Sequence, residues 1–223
     1  MGEIFLYHGS AGIIKAPVYG KGNGFNDYGC GFYCTGDKEL AKEWACTGGT
    51  AAFVNIYELN TEGLRILDLA SGYTLLYHIA LLAEYRRFRI PASGIQSAVT
   101  WIKEHFRIKL AGYDAVAGFR ADDSYFSFVR AFLSNKASFK QLKCSILSDS
   151  CKQFVLKSKK ALESLRFVSY EPVPMEEYYA KRKSRDEAAR AAFQAGSEKH
   201  ERNGLYIQDL IREEVRPDDP RIQ

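Results

Sequence analysis

The chain has 223 residues, of which 46% are hydrophobic and 13% aromatic, so it can bury a full core. No apolar run approaches the roughly 18 residues of a membrane-spanning helix, and no secretory signal is visible, so we expect a cytoplasmic protein without a membrane partner. The net charge of +4 is too small to predict nucleic-acid binding by itself, and the five cysteines lack the paired spacing of a metal site or a disulfide framework.

The N-terminal part of the sequence alternates short apolar runs with loops that contain many glycines. Residues Glu3 to His8 form an apolar and aromatic run closed by a glycine, which predicts a buried strand that leads into a tight loop. Glycines recur from Tyr19 to Gly36, and only Gly31 to Thr35 in that stretch is typical of a strand. The segment Asp37 to Ala45 has helical spacing, with its first residue placed to cap the helix. Two more strands are predicted, at Ala51–Leu59 and Leu64–Leu69.

The middle of the chain is predicted to be mainly helical. Apolar residues at intervals of three and four indicate helices, and short apolar runs indicate strands. The predicted helices are Tyr73–Arg87, Ile95–Phe106, Tyr125–Leu133 and Lys159–Leu165. The predicted strands are Tyr113–Gly118, Cys144–Leu147, Gln153–Leu156 and Arg166–Tyr170. We interpret the lysines at positions 157, 159 and 160 as a solvated face.

The composition changes after Pro172 and Pro174, which predicts a domain of residues 1–172 and a helical extension of residues 173–223. Charge and alanine are dense from Glu176 to Gln194, as in a solvated helix. Leu205 to Val215 has the apolar spacing of an amphipathic helix of about three turns, with one face to bury.

Three short motifs occur in a fixed order along the chain. They are Tyr7-His8-Gly9-Ser10, the run Gly29 to Thr35, and the run Gln153 to Leu156. In this order they resemble the diphtheria-toxin and poly(ADP-ribose) polymerase branch of the ADP-ribosyltransferases, whose signature is His, Tyr and usually Glu. The run is also similar to an uncharacterised bacterial family in that superfamily. The resemblance spans residues 4 to 170 and extends to the tail Gly204 to Pro220. It implies an α+β fold with an ADP-ribosyltransferase-like split β-sheet core, surrounding helices and a C-terminal helical extension.

The resemblance implies a role for each matched residue, with NAD as co-substrate. His8 would hydrogen-bond the 2′-hydroxyl of the nicotinamide-side ribose, and the main chain of Gly9 would pair with the carboxamide. Tyr33 would stack on the nicotinamide ring. Trp44 lies 44 − 33 = 11 residues later, where the polymerase branch has a second aromatic residue beneath that ring. Ser10 belongs to the same NAD-binding set.

The third motif position departs from the signature, because Gln153 stands where the branch usually has Glu. An amide can hydrogen-bond ribose but cannot act as a general base or contribute negative charge. Gln153 therefore disfavours poly-type chain extension and fits mono-transferring or inactive members; a structural polar residue at a strand start is the alternative. Asp122 and Asp123 follow a predicted buried strand, so both are candidate accessory residues, and our hypothesis is that one of them supplies the missing charge; the alternative is a helix cap or an exposed loop pair.

The resemblance implies a mono-ADP-ribosyltransferase that moves ADP-ribose from NAD to a macromolecular acceptor, protein rather than nucleic acid, as bacterial toxins or effectors do. Two alternatives stay open. One is an NAD glycohydrolase, and the other is a catalytically degenerate module that binds NAD, or a partner protein through the helix Leu205–Val215. A relative of RNA 2′-phosphotransferases is disfavoured, because His8 and scattered arginines are the only phosphate contacts that the sequence offers.

Overall fold

The computed structural model describes residues 2–47, 51–86, 93–120, 123–148, 152–197 and 204–223. Its mixture of helices and two small sheets confirms the α+β class. The strands are β1 (Glu3–Ser10), β2 (Phe32–Cys34), β3 (Phe53–Asn60), β4 (Ile66–Asp68), β5 (Ala115–Phe119), β6 (Lys152–Leu156) and β7 (Leu165–Pro172). The helices are α1 (Lys38–Ala45), α2 (Leu75–Tyr85), α3 (Ser93–His105), α4 (Asp123–Leu133), α5 (Phe139–Ser148), α6 (Lys159–Glu163), α7 (Met175–Ser197) and α8 (Ile207–Arg212), followed by a 3₁₀ turn at Pro220–Ile222.

The chain forms two compact units, each made of three chain segments. The first unit consists of Met1–Asp68, Leu110–Gly118 and Cys151–Arg185, and the second of Leu69–Lys109, Phe119–Ser150 and Asp186–Gln223. Both sheets lie in the first unit, and the second unit is helical. The division of the chain at residue 172 stays a prediction.

The first sheet has the strand order β1-β3-β7, and all its neighbours are antiparallel. β1 pairs with β3 along its whole length, from Glu3 opposite Asn60 to Ser10 opposite Phe53. One face of this sheet packs against α1 through small and apolar side chains, because alternate strand residues point to the same face. Asp37 caps α1 as predicted, since its carboxylate accepts hydrogen bonds from two main-chain N–H groups of the first turn.

The second sheet has the order β2-β6-β5-β4, with β4 parallel to β5 and β2 antiparallel to β6. Tyr33 lies opposite Val155 in the β2–β6 pair. The two sheets share a buried cluster to which β1, β2, β3, β5 and β6 all contribute; its fully buried members include Leu6, Cys34, Leu59, Ala115 and Leu156. This cluster fixes the two sheets to each other, with Leu6 in the middle of β1 as its member from that strand.

The second unit has its own apolar core, built from α2, α3, α4, α5 and α8. His78 is 1% exposed within it, and its Nδ1 lies 2.7 Å from the Tyr125 hydroxyl. Burial lowers the pKa of His78 to about 3, so the ring is neutral near pH 7 and is hydrogen-bonded to the phenol.

One predicted strand is wrong: Cys144–Leu147 lies inside α5. Phe139, Leu142 and Ile146 are all buried and recur at intervals of three and four, which is helical spacing. The prediction rested on a four-residue segment with three apolar side chains, taken without its neighbours, and a short apolar run does not distinguish a strand from a helix.

The C-terminal amphipathic helix is shorter than predicted. It begins at Ile207, because the Asp209 carboxylate accepts from Tyr206 N and caps the start, and it ends before Glu214, whose φ of 49° is left-handed. Its buried residues Ile207 and Leu210 belong to the core of the second unit. The apolar face that we predicted as a surface for a partner protein therefore packs within the chain. Among the described helices, none combines the length and apolar character needed to cross a bilayer.

Candidate functional site

His8 lies near the end of β1, and its ring reaches across to β2. Nδ1 is 2.7 Å from the main-chain oxygen of Tyr33. Burial lowers the pKa of His8, and the hydrogen bond to the Tyr33 carbonyl opposes this shift without reversing it. The ring is therefore neutral near pH 7, and its proton is on Nδ1 because a carbonyl can only accept. Nε2 then carries a lone pair, and no hydrogen bond reaches it in the part of the chain that the structure describes.

The His8 ring hydrogen-bonds to the Tyr33 carbonyl, which would otherwise pair with β1 in a continued β-ladder. Tyr7 N donates to Thr35 O at 2.8 Å and Thr35 N donates to Tyr7 O at 2.9 Å, which bridges β1 to β2. In an antiparallel ladder the next such pair would join Gly9 to Tyr33. His8 donates to Tyr33 O instead, and across residues 2–47 no bridge joins Gly9 to β2. The N–H and C=O of Gly9 therefore face the β2 side without a strand partner there.

Gly9 also lies against α1, where no side chain fits. A Cβ at this position would lie 1.9 Å from Ala41 O and 2.6 Å from Ala45 N. Contacts that close do not occur in proteins, so the approach of α1 to β1 requires glycine. The packing against α1 therefore requires glycine at position 9, independently of the predicted pairing of its main chain with a carboxamide.

The loop after β1 is held by Asn55, a residue that sequence reasoning missed. Asn55 is fully buried on β3; its Oδ1 accepts from Ile14 N at 2.8 Å. Its Nδ2 donates to Ser10 Oγ at 3.0 Å and to Gly12 O at 3.2 Å, and Ser10 Oγ donates to Gly12 O at 2.6 Å. The side chain of Ser10 is thus used to order the loop. A polar residue inside the apolar run Ala51–Leu59 was the available signal, since a buried amide must be hydrogen-bonded.

The Tyr33 side chain holds the glycine-rich loop that precedes β2. Its hydroxyl donates to Gly29 O at 2.6 Å and accepts from Tyr28 N at 3.1 Å. Strand side chains alternate, so the Tyr33 ring leaves β2 on the face opposite Phe32. Phe32 is the residue whose ring contacts His8, at a centroid distance of 4.5 Å. The structure therefore joins His8 and Tyr33 through the main chain of β2 and places their rings on opposite faces of that strand.

Gln153 lies at the start of β6 and contacts the same glycine-rich loop. It is 4% exposed, and its Nε2 donates to Asp27 Oδ2 at 2.9 Å. Its side chain is also hydrogen-bonded to Tyr28, whose pKa is raised first by burial and then by the charge of Asp27. The three buried side chains of Gln153, Asp27 and Tyr28 form one polar cluster, in which the carboxylate was not predicted from the sequence.

The interpretation of Lys157 as part of a solvated face is wrong. Its ammonium group donates to Cys30 O at 2.8 Å and to Tyr28 O, and burial lowers its pKa. Gln153 lies in β6, and Lys157 directly follows the last residue of that strand. Both side chains therefore hold the loop that carries Asp27.

The structure does not test the site roles predicted for Trp44, Asp122 and Asp123. Trp44 lies in the last turn of α1 and is partly buried, and the predicted clamp of Tyr33 and Trp44 stays a prediction. Asp122 and the side chain of Asp123 lie outside the described residues. The described cysteines are free thiols, and no group of three or more metal-ligating side chains occurs in the described ranges.

The comparisons with known proteins identify a family. No curated protein and no solved structure matched the chain. The family model described as "Protein of unknown function (DUF3990)" matches residues 4–167, which include His8, Tyr33 and Gln153. Because this match covers most of the 223 residues, the chain belongs to the DUF3990 family.

Proposed function

We propose that this protein is a mono-ADP-ribosyltransferase that takes ADP-ribose from NAD, on an ADP-ribosyltransferase-like split β-sheet core. The observation that carries the proposal is the break in the β1–β2 ladder after the bridge of Tyr7 and Thr35. Among the described residues, no strand pairs there with the N–H and C=O of Gly9, which lie next to a neutral His8 whose Nε2 carries a lone pair. The Gly9 N–H is a donor, and the Gly9 C=O and His8 Nε2 are acceptors. These three groups fit the nicotinamide riboside half of NAD.

The carboxamide of nicotinamide is the complement of the Gly9 main chain. Its NH₂ donates to the C=O of Gly9 and its carbonyl accepts from the N–H, as a strand would. His8 Nε2 accepts from the ribose 2′-hydroxyl. In this proposal one ligand spans the break in the β1–β2 ladder, with its ribose at His8 on one face of β2 and its pyridine ring at Tyr33 on the other. Trp44 on α1 is proposed as the second aromatic contact of the pyridine ring.

The proposed reaction breaks the bond between ribose C1′ and the pyridine nitrogen. The electron pair of that bond leaves with neutral nicotinamide, and an oxocarbenium-like ribose remains. A lone pair of the acceptor then forms the new bond to C1′, and the acceptor's proton passes to solvent. Gln153 cannot take a proton from an incoming ADP-ribose hydroxyl, so a single transfer is proposed rather than chain extension.

A protein acceptor is supported by the surface of the loop after β1. Four of the eight exposed large apolar side chains of the described residues lie in this loop: Ile13, Val18, Tyr19 and Phe25. Residues 9–26 contain no Asp or Glu, and Lys15 and Lys21 are exposed among the apolar groups. Clustered exposed apolar groups mark interaction surfaces, and the positive charge favours an acidic partner.

A second candidate is an NAD-binding module without transfer activity. The burial of Gln153 favours it, because the amide already contacts Asp27 and Tyr28. A buried amide that is already hydrogen-bonded within the protein is less able to hydrogen-bond ribose than an exposed glutamate would be. This candidate binds NAD through Gly9 and releases no nicotinamide.

The test is the release of nicotinamide from isotope-labelled NAD, with mass spectrometry of a lysate to locate the label. We expect nicotinamide release and labelled protein with the wild type, and neither with His8→Phe. His105→Phe is the matched control, because Nδ1 of His105 also lies 2.9 Å from a main-chain oxygen, that of Trp101, and its ring also stacks on an aromatic side chain. Release without labelled protein would favour hydrolysis, and binding without release would favour the module.

A further inference from the structure

The ring of Phe32 lies against the imidazole of His8. Their centroids are 4.5 Å apart and their planes are tilted by 30°, which is an aromatic contact at short range. Because strand side chains alternate, Phe32 covers His8 on the face of β2 opposite the Tyr33 ring. Both side chains are partly buried, and His8 Nε2 receives no hydrogen bond from the described residues. The imidazole therefore has one nitrogen bonded to the main chain, one face covered by a ring, and one nitrogen with a lone pair.

We propose that Phe32 is a positioning residue for His8, which holds the imidazole so that Nδ1 stays on the Tyr33 carbonyl and Nε2 stays available as an acceptor. The assignment of the ribose 2′-hydroxyl as the donor to Nε2 rests on the proposed function. Phe32 forms no bond to the substrate and acts through His8 alone.

The first argument is that one hydrogen bond does not fix an imidazole. The terminal torsion of histidine is broad, so the ring can rock about the bond from Nδ1 to the Tyr33 carbonyl and carry Nε2 with it. It can also turn over, which would place a carbon where a nitrogen was. A flat ring at 4.5 Å blocks both motions on the side that it covers. The position of the acceptor nitrogen therefore depends on Phe32 as well as on the main chain of β2.

The second argument is that Phe32 is itself held in place by Tyr57 on β3. The two rings meet edge to face at 5.5 Å, and Tyr57 is fully buried. The Tyr57 hydroxyl donates to the main-chain oxygen of Ile14, and Phe167 on β7 also packs edge to face on Tyr57, at 5.7 Å. A continuous row of rings therefore runs from β7 to His8, and it prevents Phe32 from moving away from the imidazole.

The third argument is that the same contact keeps water from one face of the imidazole. Burial is the largest cause of the lowered pKa of His8, and no charged side chain is among the causes. On the faces of β2 and β3 next to His8, the titratable side chains are Cys34 and Tyr57; burial raises the pKa of both, so neither is charged near pH 7. Residues 11–14, which contact β3 through Ile14, contain no titratable side chain. Cover by neighbouring apolar groups such as Phe32 therefore keeps Nε2 unprotonated.

The experiment removes the ring and follows His8 directly. Phe32→Ala opens the covered face to water, and Phe32→Leu keeps apolar cover without a flat ring. Phe167→Ala is the matched control, because Phe167 is also a partly buried phenylalanine that packs edge to face on Tyr57, and its described ring contacts do not include His8. Proton–nitrogen NMR spectra of protein with labelled histidine give the pKa and the tautomer of His8, whose signal is assigned by its loss in His8→Phe. Nicotinamide release gives kcat/KM for NAD as a function of pH, beside the midpoint of thermal unfolding.

In the wild type we expect one His8 tautomer, with the proton on Nδ1, and a pKa below 6.5. In Phe32→Ala the second tautomer should appear and the pKa should rise toward 6.5, because water reaches the ring. A histidine of ordinary pKa is about nine-tenths protonated at about pH 5.5, so kcat/KM of Phe32→Ala should fall about tenfold between about pH 8 and pH 5.5, and that of the wild type by less. Phe32→Leu should keep the low pKa, show the second tautomer and lose about tenfold in kcat/KM at both pH values, because Nε2 is misplaced. Phe167→Ala should keep the tautomer and the pKa of the wild type.

The inference is overturned if Phe32→Ala or Phe32→Leu keeps the single tautomer of the wild type, or if Phe167→Ala changes the tautomer and pKa of His8 as much as Phe32→Ala does. Phe32→Leu preserves most of the apolar volume, so it decides the question if Phe32→Ala does not fold. A wild-type protein that releases no nicotinamide overturns the proposed function, whereas the tautomer and pKa of His8 still decide the role of Phe32.

Discussion

Replacing Gly9 by alanine tests the contact between β1 and α1 on which the candidate site depends. The new Cβ would lie 1.9 Å from Ala41 O, while ordinary contacts begin at 3.4 Å, so α1 would have to withdraw by about 3.4 − 1.9 = 1.5 Å. The opposing atoms belong to the helix main chain and cannot rotate away. Overpacking of this kind costs about 1–3 kcal/mol, and we expect the upper part of that range because Ala45 N is also within 2.6 Å.

The control for this prediction is Gly12→Ala, since a Cβ at Gly12 would meet nothing within 4 Å. Both variants lose the same conformational freedom in the unfolded chain, so the comparison isolates the collision with α1. Urea unfolding should give Gly9→Ala a free energy of unfolding about 2–3 kcal/mol below that of Gly12→Ala. Two variants equal within about 0.5 kcal/mol would refute the packing argument.

Three further predictions follow from buried polar groups. Asn55→Ala removes the side chain that orders the loop after β1 and should cost about 2–3 kcal/mol in urea unfolding, from several hydrogen bonds of about 1 kcal/mol each; a change below about 0.5 kcal/mol would be inconsistent with this role. Burial lowers the pKa of His78 from 6.5 to about 3, so below pH 6.5 the unfolded chain binds a proton that the folded chain does not, and stability should fall from about pH 6.5 toward pH 3. In His78→Gln the loss of unfolding free energy between pH 7 and pH 5 should be smaller by roughly 2 kcal/mol. Equal pH dependence of stability in both proteins would argue against the buried neutral histidine. Lys157→Met should loosen the glycine-rich loop and speed the reaction of the Cys30 thiol with a disulfide reagent, whereas an unchanged rate would count against the anchoring role.

The sequence predicted the parts of the fold that depend on local pattern. β1, α1 and the cap at Asp37 follow from apolar spacing and from one side chain beside a helix start. His8 was placed correctly on the first strand, but that strand continues two residues beyond the predicted end, through the required Gly9 to Ser10. These features depend on residues within a few positions of one another, so a single sequence contains them.

The contacts that the sequence did not reveal join residues far apart in the chain. Asp27 and Gln153 are 126 positions apart, and Asn55 is 45 positions from Ser10. Neither pair leaves a periodic signal, because each depends on which segments distant in the chain become neighbours in the fold. Lys157 was misinterpreted for the same reason. A lysine in a basic stretch is usually solvated, and the sequence does not show that the distant loop with Cys30 covers this one.

The central claim is that the main chain of Gly9, freed from strand pairing by His8, binds the carboxamide of nicotinamide. Titration of isotope-labelled protein with nicotinamide, followed by the backbone-amide NMR spectrum, tests this claim directly. We predict that the Gly9 amide resonance moves by a large, saturable shift, while the exposed Gly24 amide does not move and His8→Phe abolishes the effect. A Gly9 amide that stays in place at saturating nicotinamide would contradict the account.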